Sequence, residues 1–275
     1  MNTNENILVI GGTGKTGRRV VERLTALGVP VRGVSRPVFD WTDESTWKPV
    51  LDEASIAYVT YSPDLAVPGA AEIVGRFAAL AVEQGVRRIV LLSGRGEAGA
   101  LEGERAVQDS GVQEWTIVRA AWFDQNFSED FLVEAVRQGE IMLPAGTVAE
   151  PFVDLDDLAD VATAALTRDG HHGQVYEVTG PRLLTFHDVA AVLTEATGRP
   201  VAYVPVTTEQ YVETMAAYEV PGEVVALLTH LFTEVLDGRN AYLTNGVERA
   251  LGRAPRDFAD YARAAAATGA WDAAR

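Results

Sequence analysis

The stretch Ile7-Leu8-Val9-Ile10-Gly11-Gly12-Thr13-Gly14-Lys15-Thr16-Gly17-Arg18-Arg19-Val20 decides how this chain is read. Its first four residues are all aliphatic, which reads as a fully buried strand. From Arg18 to Leu27 the apolar residues Val20, Val21, Leu24 and Leu27 share one helical face, and Gly28 stops the helix. Between strand and helix lies G-x-x-G-x-x-G, at Gly11, Gly14 and Gly17. A sharp turn from strand to helix brings backbone N–H groups and the positive end of the helix dipole against a phosphate, and side chains there would obstruct it. Glycines at that place predict a dinucleotide site, with Gly11, Thr13, Gly14, Lys15, Thr16 and Gly17 around the pyrophosphate. Gly14-Lys15-Thr16 imitates the end of a nucleoside-triphosphate loop. That loop requires glycine at position 9, which is valine inside the strand, so the triphosphate reading is rejected.

The next apolar run, Val31–Ser35, reads as the second strand. Where the cofactor is NAD(H), an acid at the end of this strand usually binds the ribose hydroxyls. Here the strand runs into Ser35-Arg36 with no acid. The planar guanidinium of Arg36 suits a 2′-phosphate, and Lys15 adds positive charge, so NADP(H) is the expected cofactor. The alternative is that Arg36 is a solvated loop residue. Asp40 follows shortly and is a candidate near the adenine.

Further along, apolar runs at Ile56–Tyr61, Arg88–Leu92 and Trp115–Arg119 alternate with helical patterns at Ala70–Gln84 and Glu102–Ser110. Strands apolar throughout, separated by amphipathic helices, indicate a parallel sheet covered on both faces. The second half is less regular. Glu129–Gln138 and Leu155–Leu166 read as helices, and Val175–Thr179 as one more strand of the same sheet. Thr185 followed by Asp188 resembles a capping box. Beyond Pro205 the pattern is mostly helical, with breaks at Pro221-Gly222, Asn245-Gly246 and Pro255. The expected architecture is therefore α/β. A Rossmann, doubly wound parallel sheet occupies residues 1–150, with a strand near 175–179 returning to it. A smaller, mostly helical C-terminal substrate part occupies 151–275 and interleaves with the first.

Composition narrows the function classes. The 275 residues contain no cysteine, which excludes disulfides, thiolate metal sites and cysteine nucleophiles. A net charge of −16, from 39 acids against 23 bases, argues against a general nucleic-acid face and against anionic membranes. No apolar run approaches the roughly 18–20 residues of a membrane span. The N-terminal segment has no basic, signal-like flank, so a soluble cytoplasmic protein is expected. Only Lys15 and Lys48 among the 23 bases are lysines.

GGTGKTGRRV, FDW, RRIVLLSGRGE, WTIVRAAWFDQNFSE, LPAG, PFVDLDDLADVA, VYEVTGP and GRPVAYVPV occur in that order. Together they resemble the NmrA-like atypical short-chain dehydrogenases, closest to the agroclavine-dehydrogenase (ergot-alkaloid) branch and its bacterial relatives. The likeness covers roughly residues 6–205. It implies a Rossmann domain with a small substrate domain, and NADP(H) as cofactor. By motif match it implies that Thr60, Tyr61 and Ser62 border the cofactor and that Ser93 and Gly94 lie near the nicotinamide. Position alone suggests the same, because ligands bind outside the carboxyl ends of parallel strands.

Ordinary short-chain dehydrogenases donate a proton to a carbonyl oxygen through Tyr-x-x-x-Lys. No tyrosine here is followed four residues later by lysine, so that dyad cannot be built. No motif identifies the catalytic group, and Asp124 and Asn126 are candidates to polarise an acceptor or relay a proton. The segment after Arg119 leaves a strand end, and Trp122, Phe123, Asn126 and Phe127, with Phe152, are candidates for a wall against a flat substrate. The aromatic residues fit a core equally well. Asp154, Asp156, Asp157 and Asp160 open a helix, where carboxylates suit the dipole, so no metal is expected. The four histidines have no metal-ligand spacing.

Two main readings stay open at this point, with a third behind them. One is an NADPH-dependent reductase that delivers hydride to a small conjugated molecule, such as a quinone, iminium, enone or azo compound, with aromatic natural-product biosynthesis as a candidate setting. The other is an NADP-sensing regulator without turnover. A vestigial site in a structural protein is a third, and a homodimer is compatible with each.

Overall fold

A computed structural model describes residues 6–272. The chain opens with β1 (Ile7–Ile10), whose four side chains are all buried. It then turns through Gly11 into α1 (Lys15–Ala26). This helix begins three residues before the expected start at Arg18, because Lys15–Gly17 lie in its first turn with Gly14 as N-cap. Next come β2 (Val31–Val34), α2 (Trp47–Leu51), β3 (Ile56–Val59), α3 (Ala70–Glu83), β4 (Arg88–Gly94), α4 (Ala98–Gln108) and β5 (Glu114–Ala120).

The second half carries α5 (Asn126–Glu129), α6 (Val133–Gln138), β6 (Glu140–Leu143), β7 (Ala149–Glu150), α7 (Leu155–Thr167), β8 (Gln174–Val178), β9 (Leu184–Thr185), α8 (Phe186–Thr197) and β10 (Ala202–Pro205). It ends with α9 (Thr208–Ala217), α10 (Gly222–His230), α11 (Gly246–Leu251) and α12 (Phe258–Ala267). One helix was expected over Glu129–Gln138, and two short ones are found. Asp130 between them is extended, and its carboxylate accepts from the next N–H, which ends the first helix. The capping box at Thr185 and Asp188 is present, and Thr207 with Gln210 forms a second.

The chain divides into two compact units. The first holds the described residues through Ala120, then Leu155–Val178 and Asn245–Ala254. Six parallel strands make its sheet, in the order β2-β1-β3-β4-β5-β8. The chain runs outward from β1 to β2 and then crosses back to β3 on the other side of β1. That reversal is where ligands of such sheets bind. One face of the sheet packs on Trp47, Phe77, Phe39 and Trp41, whose rings meet mostly edge to face.

The second unit holds Ala121–Asp154, Thr179–Thr244 and the described residues from Pro255. Its core is aromatic. Phe127, Phe152, Phe186 and Phe258 form one cluster, with ring centroids 5.5–6.3 Å apart in the pairs that touch. Two small sheets, parallel β6-β10 and antiparallel β7-β9, complete it. The boundary expected at residue 150 therefore falls at residue 120, where β5 ends. Residues 121–154 bond within the second unit, as in the parallel bridge between Phe123 and Val153. α7 belongs to the first unit, tied to α1 by Arg23 on Asp156 and Asp160. So does α11: a Cβ at Gly246 would stand 2.0 Å from the Glu177 carbonyl oxygen.

Candidate cofactor and acceptor sites

The glycine turn is held by its own backbone. The N–H groups of Gly11 and Gly12 both donate to the Val34 carbonyl, at 2.9 and 3.0 Å, and that of Gly14 donates to Gly11. Gly11 has φ +76°, a conformation that favours glycine. A Cβ at Gly12 would stand 2.6 Å from Gly33 Cα, and one at Gly17 would stand 2.2 Å from the Gly11 carbonyl oxygen. The N-terminus of α1 has no side-chain cap and no acid in its first turn, where Lys15, Arg18 and Arg19 contribute only positive charge. Such an end, with glycine as N-cap, fits a pyrophosphate.

Beside it, Thr13 donates both its N–H and its hydroxyl to Ser35 Oγ, at 3.2 and 2.9 Å. That fastens the turn to the end of β2 and leaves Arg36, the next residue, exposed. A cation there fits a second phosphate. Thr16 is a correction among the expected contacts. It is 7% exposed, and its hydroxyl meets the buried Tyr58 phenol, whose pKa burial pushes up. Asp40 serves its own turn. Its carboxylate accepts from the Thr42 N–H and hydroxyl at 2.9 and 2.8 Å, bonds that hold it below its ordinary pKa.

The carboxyl ends of β3 and β4 lie on the same edge of the parallel sheet as that of β1. Thr60 Oγ1 is 2.6 Å from where a Cβ on Gly11 would sit, so the two strand ends touch. Tyr61 packs on Trp41 at 5.1 Å, and Ser62 is exposed. Ser93 is 3% exposed and gives its hydroxyl to Glu104 Oε1 at 2.6 Å. Glu104 also takes two bonds from Arg119, at 2.8 and 2.5 Å. Arg119 reaches Glu177 at 2.6 Å, and Arg95 approaches the same carboxylate at 3.5 Å. The network spans α4, β4, β5 and β8. Apart from Ser93, its members carry no shared motif, so a linear reading passes over them.

In the second unit, Trp122 and Phe123 are half-buried, and Trp122 lies 5.4 Å from Phe232, with the two rings tilted by 32°. Phe127 and Phe152 are corrections. They are 0% and 3% exposed and belong to the aromatic core, so they cannot form a substrate wall. Asp124 is fully buried and Asn126 nearly so. Gln125 donates to Asp154 at 2.8 Å. Asp157 and Asp160 of the first unit pair with Arg253, at 2.7 and 2.5 Å. Among the described residues no group of three His, Asp or Glu is arranged to hold a metal ion, and no helix is long and apolar enough to cross a membrane.

No protein-family model matches the chain. It is 32% identical to the NAD(P)H azoreductase of Xenophilus azovorans over 286 aligned positions, covering 95% of this chain and 98% of that one. It is 31% identical to the agroclavine dehydrogenase of Claviceps fusiformis, over 93% of this chain and 95% of that one. Among solved structures, the triphenylmethane reductase of Citrobacter sp., complexed with NADP(H), matches with a TM-score of 0.78. That match covers 94% of this chain and 99% of the other at 20% identity, a likeness of fold.

Proposed function

The chain belongs to the NmrA-like atypical short-chain dehydrogenase family and is an NAD(P)H-dependent oxidoreductase, and within that family we propose that it prefers NADPH and reduces an electrophilic, conjugated small molecule. Quinones, azo compounds, iminium ions and activated enones are the acceptor classes. The NADPH preference rests on Arg36, exposed at the end of β2 beside the glycine-capped helix. Bound there, the cofactor supplies hydride. The chain's own part is to hold the pyrophosphate on the α1 N-terminus and the 2′-phosphate on Arg36.

One observation carries the choice of acceptor. The Ser93 hydroxyl is committed to Glu104, and the chain has no lysine to activate a tyrosine. An unactivated carbonyl needs such help, whereas an electrophilic acceptor is reduced mainly by being positioned. On the second unit, Trp122 and Phe123 keep the candidacy for stacking on a flat acceptor that Phe127 and Phe152 lose.

The test follows NADPH oxidation with a panel of quinones, azo dyes and iminium compounds. Turnover with at least one of them, and none with simple ketones, is the expected result. Tight NADPH binding with no turnover across the panel would favour the cofactor-sensing reading instead.

A further inference from the structure

Glu97 carries a buried carboxyl for which the reading above has no task. Two glycines place it. A Cβ at Gly99 would stand 2.5 Å from the Ala66 carbonyl oxygen, and one at Gly103 would stand 2.6 Å from Leu65 Cδ1. The first turns of α4 therefore lie flush on the segment Asp64–Ala66 that follows β3. In that segment Asp64 Oδ1 accepts from the Ala66 N–H at 2.7 Å. Glu97, the residue ahead of α4, folds back over the end of β4. Its Oε1 lies 2.1 Å from where a Cβ on Gly94 would be, so the carboxyl occupies the space that a side chain there would need. Its other oxygen, Oε2, is buried and has no hydrogen-bond partner among the described residues, and the charged group beside it is Asp64. Two carboxylates in contact with no donor between them cannot both stay ionised. A proton on Glu97 converts that repulsion into a hydrogen bond.

We propose that Glu97 and Asp64 share one proton at neutral pH, and that Glu97 releases it to the heteroatom of an acceptor that takes up hydride. The donor role rests on the reductase reading above, whereas the shared proton does not. β3 and β4 are neighbours in the sheet, and the pair lies just past their carboxyl ends, where such sheets bind ligands. Burial, and then the charge of Asp64, push the Glu97 carboxyl up to about 8. An acid of that strength holds its proton at pH 7 and still releases it readily. Other charged groups nearby are engaged elsewhere: Arg95 with Glu177 of β8, and Glu104 of α4 with Ser93 and Arg119.

The step balances. Hydride from the reduced cofactor brings both electrons to the acceptor. The Glu97 O–H bond breaks, and its proton goes to the nitrogen of an azo group or the oxygen of a quinone. Glu97 is left as a carboxylate and regains a proton from water. An iminium ion needs no such proton, because hydride alone neutralises it.

The experiment has two arms. In the cofactor-free protein, infrared spectroscopy follows the C=O stretch of protonated carboxyls against pH. One band should be present at pH 7, vanish with a midpoint near 8, be absent in Glu97→Gln, and titrate lower in Asp64→Asn. With NADPH, Glu97→Gln should slow azo and quinone reduction about 100-fold. Iminium reduction should lose roughly tenfold less. A band that survives in Glu97→Gln overturns the proposal. So does an equal loss on the iminium substrate, which would make Glu97 a positioning residue. If Glu97→Gln does not fold, the lowered midpoint in Asp64→Asn decides, and an unmoved midpoint overturns the pair. If the wild type turns over no acceptor, the reductase reading and the donor role fall together, while the band still reports on the shared proton.

Discussion

The glycine turn of the first unit and the aromatic cluster of the second are held together by opposite means. Around Gly12 and Gly17 backbone touches backbone, and a single Cβ has nowhere to go. Around Phe127, Phe152, Phe186 and Phe258, four rings from four stretches of chain fill the space by shape. The first arrangement is local and intolerant of any side chain. The second is distributed and depends on large ones. A feature made by absence of side chains near in sequence announces itself as a motif, whereas one made by rings that meet only after folding does not.

That contrast can be broken at either end. Gly17→Ala should have the largest effect, about 5 kcal/mol of stability, because its methyl group would meet a backbone oxygen that no rotamer change can move. Denaturant unfolding reads the loss, and NADPH titration should show binding abolished. Phe127→Ala should cost about 3–5 kcal/mol through the cavity it leaves. NADPH affinity should survive it at temperatures where the variant is folded. An equal collapse of NADPH binding in both variants would erase the distinction.

Arg36→Ala sharpens the comparison from the ligand side. Loss of a charge-assisted contact worth about 1.5–3 kcal/mol should weaken NADPH binding roughly ten- to hundredfold and leave NADH unaffected. An unchanged preference for NADPH over NADH would refute the 2′-phosphate assignment.

A further test concerns pH. The folded-state pKa of Glu97 is raised, from an ordinary 4.5 to about 8. Its contribution to stability is full below the unfolded value and is lost as pH rises through the folded one. The melting temperature of the wild type should therefore decline between about pH 5 and pH 8, and Glu97→Gln should flatten that decline. Identical slopes for the two proteins would show that Glu97 titrates normally.

Much of the first unit could be read in advance because its signals are short-range. Ile7–Ile10 is the same strand in sequence and structure, and Arg88 and Trp115 each lie in the strand expected of them. Errors fall where a residue's neighbours are distant in the chain. Thr16 sits inside the predicted phosphate turn, yet it faces Tyr58 from the next-but-one strand. Phe127 and Phe152 follow strand ends and look placed for a ligand, but Phe186 and Phe258 cover them. Residues 121–154 look continuous with the sheet unit, although β6 finds its partner only in β10.

By itself the sequence determined the parallel sheet, the glycine turn, the missing acid after β2 and the missing lysine. Each depends on residue type at short spacing, or on a spacing that occurs nowhere in the chain. Only the tertiary structure decided that Ser93 is bonded to Glu104, and that Glu97 lies against Asp64. Those contacts arise when Gly99 and Gly103 let α4 settle on the segment after β3. No periodicity reports such an approach, because the backbone that forbids a side chain there lies on another stretch of the chain.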